Sequence, residues 1–153
     1  MSKTTMTTAE KLAIDQLVAP YITPTVFHLG TAPRKAARYD KRAQMYGGEG
    51  TVYLLQLFQA EELVNNRIGA YMILPTSADS CGFHTHGTRK EQELYIVMHG
   101  EGMYYEKENG KSEPKKYPLT KGNITSIKGM ALHAVENTGD EPLIIFVVTT
   151  YEV

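Results

Sequence analysis

From Gly82 onward the chain is a regular succession of short strand patterns separated by turn residues, and few folds accept that rhythm. Strands are expected at 83–86, 93–98, 103–107, 115–119, 124–127, 132–136 and 143–151. Between them stand Gly100-Glu101-Gly102, Glu108-Asn109-Gly110, Lys121-Gly122-Asn123, Lys128-Gly129 and Asn137-Thr138-Gly139-Asp140. Glycine, asparagine and aspartate reach the backbone angles of tight turns, so each cluster ends one strand and launches the next. Many short strands at this spacing, with almost no helix, specify a sandwich or barrel. No internal repeat or low-complexity segment divides the chain, and 153 residues with 42% hydrophobic content suffice for one core.

The first half is less regular. Thr7-Thr8-Ala9-Glu10 has the spacing of a capping box, in which a threonine and a glutamate satisfy each other's backbone amides. Leu12, Ala13, Leu17 and Val18 follow near helical spacing until Pro20, which predicts a short amphipathic helix over 8–19. Its expected role is packing on a sheet or on a subunit partner. Residues 1–5 are mostly polar and are expected to fray.

A strand is expected over 26–29, ending at Gly30, with His28 inside it as a structural hydrogen-bonder. Residues 31–46 show no period and receive no assignment. Their basic members Arg34, Lys35, Arg38, Lys41 and Arg42 read as a solvated face. Gly47-Gly48-Glu49-Gly50 is a turn and not a phosphate loop, because no Gly-Lys-Ser/Thr follows and Thr51–Leu55 reads as a strand. Further strands are expected at 51–58 and 68–74, with Tyr53, Phe58, Tyr71 and Phe83 filling the interior. The organisation is therefore a helix and lead-in arm over 1–50 and a barrel over 51–153, forming one structural domain.

Charge and cysteine content narrow the function classes. A net charge of -1 argues against a nucleic-acid binder. One cysteine, Cys81, excludes an internal disulfide and suits a reducing cytoplasm, where it is expected as a small core residue. The apolar run 143–148 is far shorter than the roughly 20 residues that span a bilayer. Residues 1–20 lack the apolar stretch of a signal peptide. A soluble cytoplasmic protein without membrane or nucleic-acid partners is the expectation.

The chemistry concentrates in GFHTHGTRKEQELYIVMHGEG, residues 82–102. His84 and His86 are two apart, so on a strand both imidazoles leave the same face. Glu91 and Glu93 repeat that spacing. Glu93 shares its face with Tyr95 and Val97, and farther on His133 shares a face with Val135 and Asn137. A carboxylate and a histidine between inward apolar neighbours would be costly to bury unpaired. A divalent ion held by His84, His86, Glu93 and His133 removes that cost. Imidazole with carboxylate suits Fe, Mn, Ni, Co, Cu or Zn, and spacing does not choose among them. Glu91 competes with Glu93 for the carboxylate position.

These residues resemble the cupin superfamily, whose first motif is G-x5-H-x-H-x3-4-E-x6-G and whose second is G-x5-P-x-G-x2-H-x3-N. His84, His86, Glu93 and Gly100 match the first apart from a longer loop before Glu93, and Ala78 stands where the opening glycine belongs. Gly122, His133 and Asn137 match the second, with Lys128 and Met130 in place of its proline and glycine. The resemblance covers about residues 50–150. It implies an all-β cupin jelly-roll barrel with a short N-terminal helix, one divalent transition metal near one mouth, and a homodimer.

The family's chemistry is diverse, and the leading expectation is a mononuclear metalloenzyme acting on a small polar or aromatic molecule, with isomerase, lyase or dioxygenase type chemistry. Tyr95, on the face of Glu93, and Glu91 are the candidates for moving a proton. A non-catalytic metal or small-molecule binding module is the alternative. Met98, Met103 and Met130 are expected as apolar lining near the motifs.

Overall fold

The computed structural model describes residues 2–152. Eleven strands follow in chain order: β1 Ser2–Thr4, β2 Arg38–Ala43, β3 Thr51–Gln56, β4 Gly69–Leu74, β5 Ser80–Thr85, β6 Glu91–His99, β7 Gly102–Lys107, β8 Lys115–Leu119, β9 Ile124–Ile127, β10 Leu132–Asn137 and β11 Leu143–Tyr151. One helix, α1, spans Thr8–Val18. Seven strands form a sheet in the order β1-β2-β3-β4-β11-β6-β9, and four form a second in the order β5-β10-β7-β8. Every pairing is antiparallel. This is the jelly-roll arrangement that the strand rhythm and the resemblance predict.

Period-2 alternation builds two cores on the two faces of the large sheet. Val52, Leu54, Met72, Leu74, Val97, Ile145 and Val147 face the small sheet and meet Cys81, Tyr104, Leu119 and Val135 between the layers. Leu55, Ile73 and Ile144 face the other way, where Ile14 and Val18 of α1 cover them together with Met6. The helix starts as its capping box requires, with the Thr7 amide donating to Glu10 Oε2 at 2.8 Å and the Glu10 amide donating to Thr7 Oγ1 at 3.2 Å. Its sheet-packing role is therefore realised within the chain.

Several local expectations change. Tyr53 and Tyr71 lie on the face under α1, not inside the barrel, because odd-numbered residues of β3 and β4 point outward. Phe83 is half-buried, edge-on to Tyr105 with Lys107 Nζ 4.2 Å over its ring. Of the methionines near the motifs, Met130 is exposed and Met98 packs on the helix side. The strand expected at 26–29 is reduced to a bridge between Val26 and Arg34. Residues 2–4, expected to fray, pair with β2.

The unassigned stretch 31–46 contains β2, which pairs along its length with β3, from Arg38 against Gln56 to Ala43 against Thr51. The arm of residues 1–50 is thus hydrogen-bonded into the large sheet. No helix among the described residues is long and apolar enough to cross a membrane.

Candidate metal centre

His84 lies near the end of β5, His86 just beyond it, Glu93 on β6 and His133 on β10. Cross-strand register brings His133 opposite His84. Two residues farther along β10, Val135 pairs with Cys81, so three steps on β5 match two on β10. This bulge, at Gly82-Phe83, lets Cys81 and His84 both turn inward, which strict alternation would forbid. Gly82 is required there: a Cβ would stand 2.1 Å from the Tyr46 carbonyl oxygen. Close approach of that segment places the Tyr46 ring on His84, with centroids 4.1 Å apart and planes 15° from parallel. Tyr46 itself sits at φ 51°, a left-handed conformation that a non-glycine residue seldom adopts.

The four side chains meet in one place. His133 Nε2 lies 3.0 Å from His84 Nε2 and 3.2 Å from His86 Nε2. Glu93 Oε2 is 2.8 Å from His86 Nε2, 3.1 Å from His133 Nε2 and 4.0 Å from His84 Nε2. One donor atom from each residue falls within 4.8 Å of all the others. Glu93 Oε2 is buried without a well-formed hydrogen bond despite these short contacts. Ligands about 2.1 Å from a shared ion stand about 3.0 Å apart when adjacent in an octahedron and about 4.2 Å apart when opposite. The five separations above lie between 2.8 and 4.0 Å, within reach of one shared ion, so the donor set fits a divalent ion.

Each imidazole is oriented from behind. His84 Nδ1 faces the Gly82 carbonyl at 2.9 Å, His86 Nδ1 faces Glu91 Oε2 at 3.3 Å, and His133 Nδ1 faces the Tyr104 hydroxyl at 3.1 Å. At His84 and His133 a proton on Nδ1 donates to the oxygen behind it and turns the Nε2 lone pair toward the cluster, while His86 Nδ1 lies between Glu91 and the Arg89 guanidinium, whose Nη2 is 3.2 Å away. Burial is the main cause that lowers His84, to about 3, with the neighbouring His133 adding to it. His133 is lowered chiefly by burial as well. Burial alone would raise Glu93, but His133 and His86 hold its carboxyl down to about 2. At neutral pH His84 and His133 are therefore neutral and Glu93 is ionised, the protonation states that metal binding requires.

The two glutamates have different surroundings. Glu93 joins the cluster. Glu91 is fully buried on its outer side, accepting from Arg67 Nε at 2.6 Å and Nη2 at 3.0 Å and from Arg89 Nε at 3.2 Å. Burial pushes Glu91 up, yet these guanidiniums and His86 bring it to about 2. Tyr95 is buried with its ring against His133, centroids 4.9 Å apart; burial first, then the charge of Glu93, raises its phenol well above the usual range. Cys81 is buried with Sγ 3.8 Å from His84 Nδ1, and burial raises its thiol, which stays protonated.

A cavity of about 290 Å³ opens over His84, His86 and Glu93. Arg38, Arg42 and Arg67 also line it, together with Tyr46 and Gln56. Sequence reasoning missed these residues and Tyr104. The available signal was Arg38-Tyr39-Asp40-Lys41-Arg42, in which charged residues at alternate positions could all face inward on a strand. Arg42, whose side chain is 17% exposed, thus corrects the expectation of a wholly solvated basic face, while Arg38 lines the cavity with 60% of its side-chain surface in solvent.

Comparison with known proteins agrees with this fold. The family model for the cupin domain matches residues 70–149. A crystal structure of a predicted oxalate decarboxylase from Thermotoga maritima is similar with 30% identity and a TM-score of 0.65, covering 74% of this chain and 92% of that one. A Thermus thermophilus protein superposes with 19% identity and a TM-score of 0.53, over 65% of this chain and 83% of its own. The cupin domain of Schizosaccharomyces pombe Cnp3 does so with 11% identity and a TM-score of 0.54, over 66% and 61% of the two chains. These last two likenesses are of fold alone. Among curated proteins none matches the chain. By the matched family model, the strand topology and the relative from Thermotoga maritima, the chain belongs to the cupin family.

Proposed function

We propose that this protein is a mononuclear metal-dependent cupin enzyme for a small molecule, with isomerase, lyase or dioxygenase type chemistry. The carrying observation is the convergence of His84, His86, Glu93 and His133 on one point at the floor of a cavity. Those four residues would hold one divalent transition metal, Fe, Mn, Ni, Cu or Zn. A bound ion of this kind supplies Lewis acidity at a substrate oxygen. The chain's own part is positional: Gly82, Glu91 and Tyr104 fix the imidazoles, while Tyr46 and Tyr95 wall the ligands against movement. A cavity at the small end of the usual ligand-pocket range suits a metabolite rather than a polymer. The relative described as a predicted oxalate decarboxylase supports catalysis as the reading.

One observation favours a binding module instead. Glu91 is ionised and tied to two arginines, and the Tyr95 phenol is buried and hard to ionise, so neither is poised as a ready proton carrier. In the enzyme reading their contribution is therefore to position His86 and His133. A second copy of the chain is the expected protein partner, for which exposed Phe27, Leu29 and Val64 supply apolar surface. The deciding experiment counts metal in untagged protein purified without chelator, by plasma mass spectrometry. Product formation or dioxygen uptake is then followed against sugars, keto acids and catechols. Near-stoichiometric transition metal with turnover of one substrate supports the enzyme. Metal with tight binding and no turnover supports the module, and no metal after reconstitution overturns both metal-based readings.

A further inference from the structure

The walls of the cavity carry a chemical preference that the metal ligands do not. Arg38, Asp40 and Arg42 alternate on β2 and share its inward face. Asp40, only 1% exposed, stands behind the two arginines: Arg38 Nε donates to its Oδ1 at 3.1 Å, and Arg42 Nη2 lies 3.5 Å from its Oδ2. Glu91 stands behind Arg67 in the same way. In both places the carboxylate is buried and the guanidinium lines the cavity. A guanidinium has five N–H donors, and a backing carboxylate engages two of them while holding the plane of the group.

Charge points in one direction. Arg38, Arg42 and Arg67 balance the carboxylates of Asp40, Glu91 and Glu93, so a divalent ion brings the site to two positive charges. Arg89, also on Glu91, adds to that sign. Positive charge in a partly desolvated cavity is costly unless an anion meets it. The remaining wall sets Met45, Leu54, Met72 and Val147 beside Tyr46 and Gln56. The apolar members suit a short carbon chain, and the excess positive charge favours one charged at both ends over a neutral sugar.

We propose that the cavity takes a small dicarboxylate or a 2-oxo acid dianion, one anionic group at the metal centre and the other against the guanidiniums of Arg38 and Arg42. The assignment rests on the metal-site reading for its first half and on β2 for its second. It also selects, from the polar or aromatic molecules first expected, the anionic ones.

The test is calorimetric titration of metal-loaded protein with malonate, acetate, inorganic phosphate, catechol and a neutral pentose, with metal counted in the same sample. Malonate is expected to bind at least tenfold tighter than the others. Arg38→Gln and, separately, Arg42→Gln are expected to weaken malonate at least tenfold at unchanged metal content. Catechol or pentose binding as tightly as malonate overturns the proposal, as do arginine variants within twofold of the unmodified protein. Phosphate binding equal to malonate overturns the carboxylate class. The ligand panel needs no variant to fold. Protein that takes up no metal overturns the metalloenzyme reading by itself, and the same panel on that metal-free protein still decides the anion assignment through the β2 arginines.

Discussion

Two regions meet at the cavity and solve different problems. The metal strands β5, β6 and β10 bring four short, buried side chains to one point, none more than 8% exposed. Strand β2 brings long side chains to the same space, and the Arg38 side chain keeps 60% of its surface in solvent. A metal centre needs donor atoms fixed to a few tenths of an ångström, which only packed rotamers and outer hydrogen bonds provide. Recognition of an anion tolerates longer arms, because a guanidinium held by a carboxylate already presents an ordered fork. The difference teaches that burial here is graded, from the enclosed metal-ligand cluster to the partly solvated arginines of β2.

The sharpest way to break this contrast is to remove a donor from the floor. His86→Ala or Glu93→Gln should weaken metal binding by at least about a hundredfold while leaving a folded, less heat-stable barrel, as read by plasma mass spectrometry and circular dichroism. Stoichiometric metal in either variant would refute the assignment. Glu91→Gln comes next. It touches only the outer side of His86, so metal affinity should fall by about tenfold, in a competition titration with a chelator. A loss as large as that of Glu93→Gln would move Glu91 into the cluster.

Tyr104→Phe removes the hydroxyl behind His133. It should cost about 1 kcal/mol of stability in urea unfolding, with a metal-affinity loss no greater than that of Glu91→Gln.

Acid titration gives a more gradual effect. His84 is lowered in the folded state to about 3, so the unfolded chain binds the extra proton first. Stability of the metal-free protein should therefore be full above the ordinary histidine range, about 6.5, and decline as pH falls toward 3. Glu91, lowered to about 2, adds a second loss that begins below the ordinary glutamate value of about 4.3. A thermal midpoint that stays flat from pH 7 to pH 4 would contradict the buried neutral His84.

How much was legible can be read from the same two regions. The strands after Gly82 were legible because turn residues bracket each one and the alternation of His84, His86, Glu93 and Tyr95 is local. The bulge at Gly82 was not, since its cause is the Tyr46 carbonyl pressing on β5 from more than thirty residues away. Tyr53 and Tyr71 were misplaced because aromatic content does not say which face of a sheet a helix will cover. β2 escaped assignment because its inward residues are charged, and a pattern search keyed to apolar periodicity passes over them. Arg42 was assigned to solvent for that reason, although the carboxylate of buried Asp40 beside it makes its burial tolerable.

The sequence by itself determined the antiparallel class, the positions of the turns and the three candidate histidines, because strand alternation and turn chemistry act over a few neighbouring residues. Only the tertiary structure decided which glutamate faces the cluster, which groups stand behind the imidazoles, and that the arginines of β2 wall the cavity. Those outcomes depend on register and bulges between strands distant in the chain, where the free energy of burying a charge is settled by whatever partner the fold brings beside it.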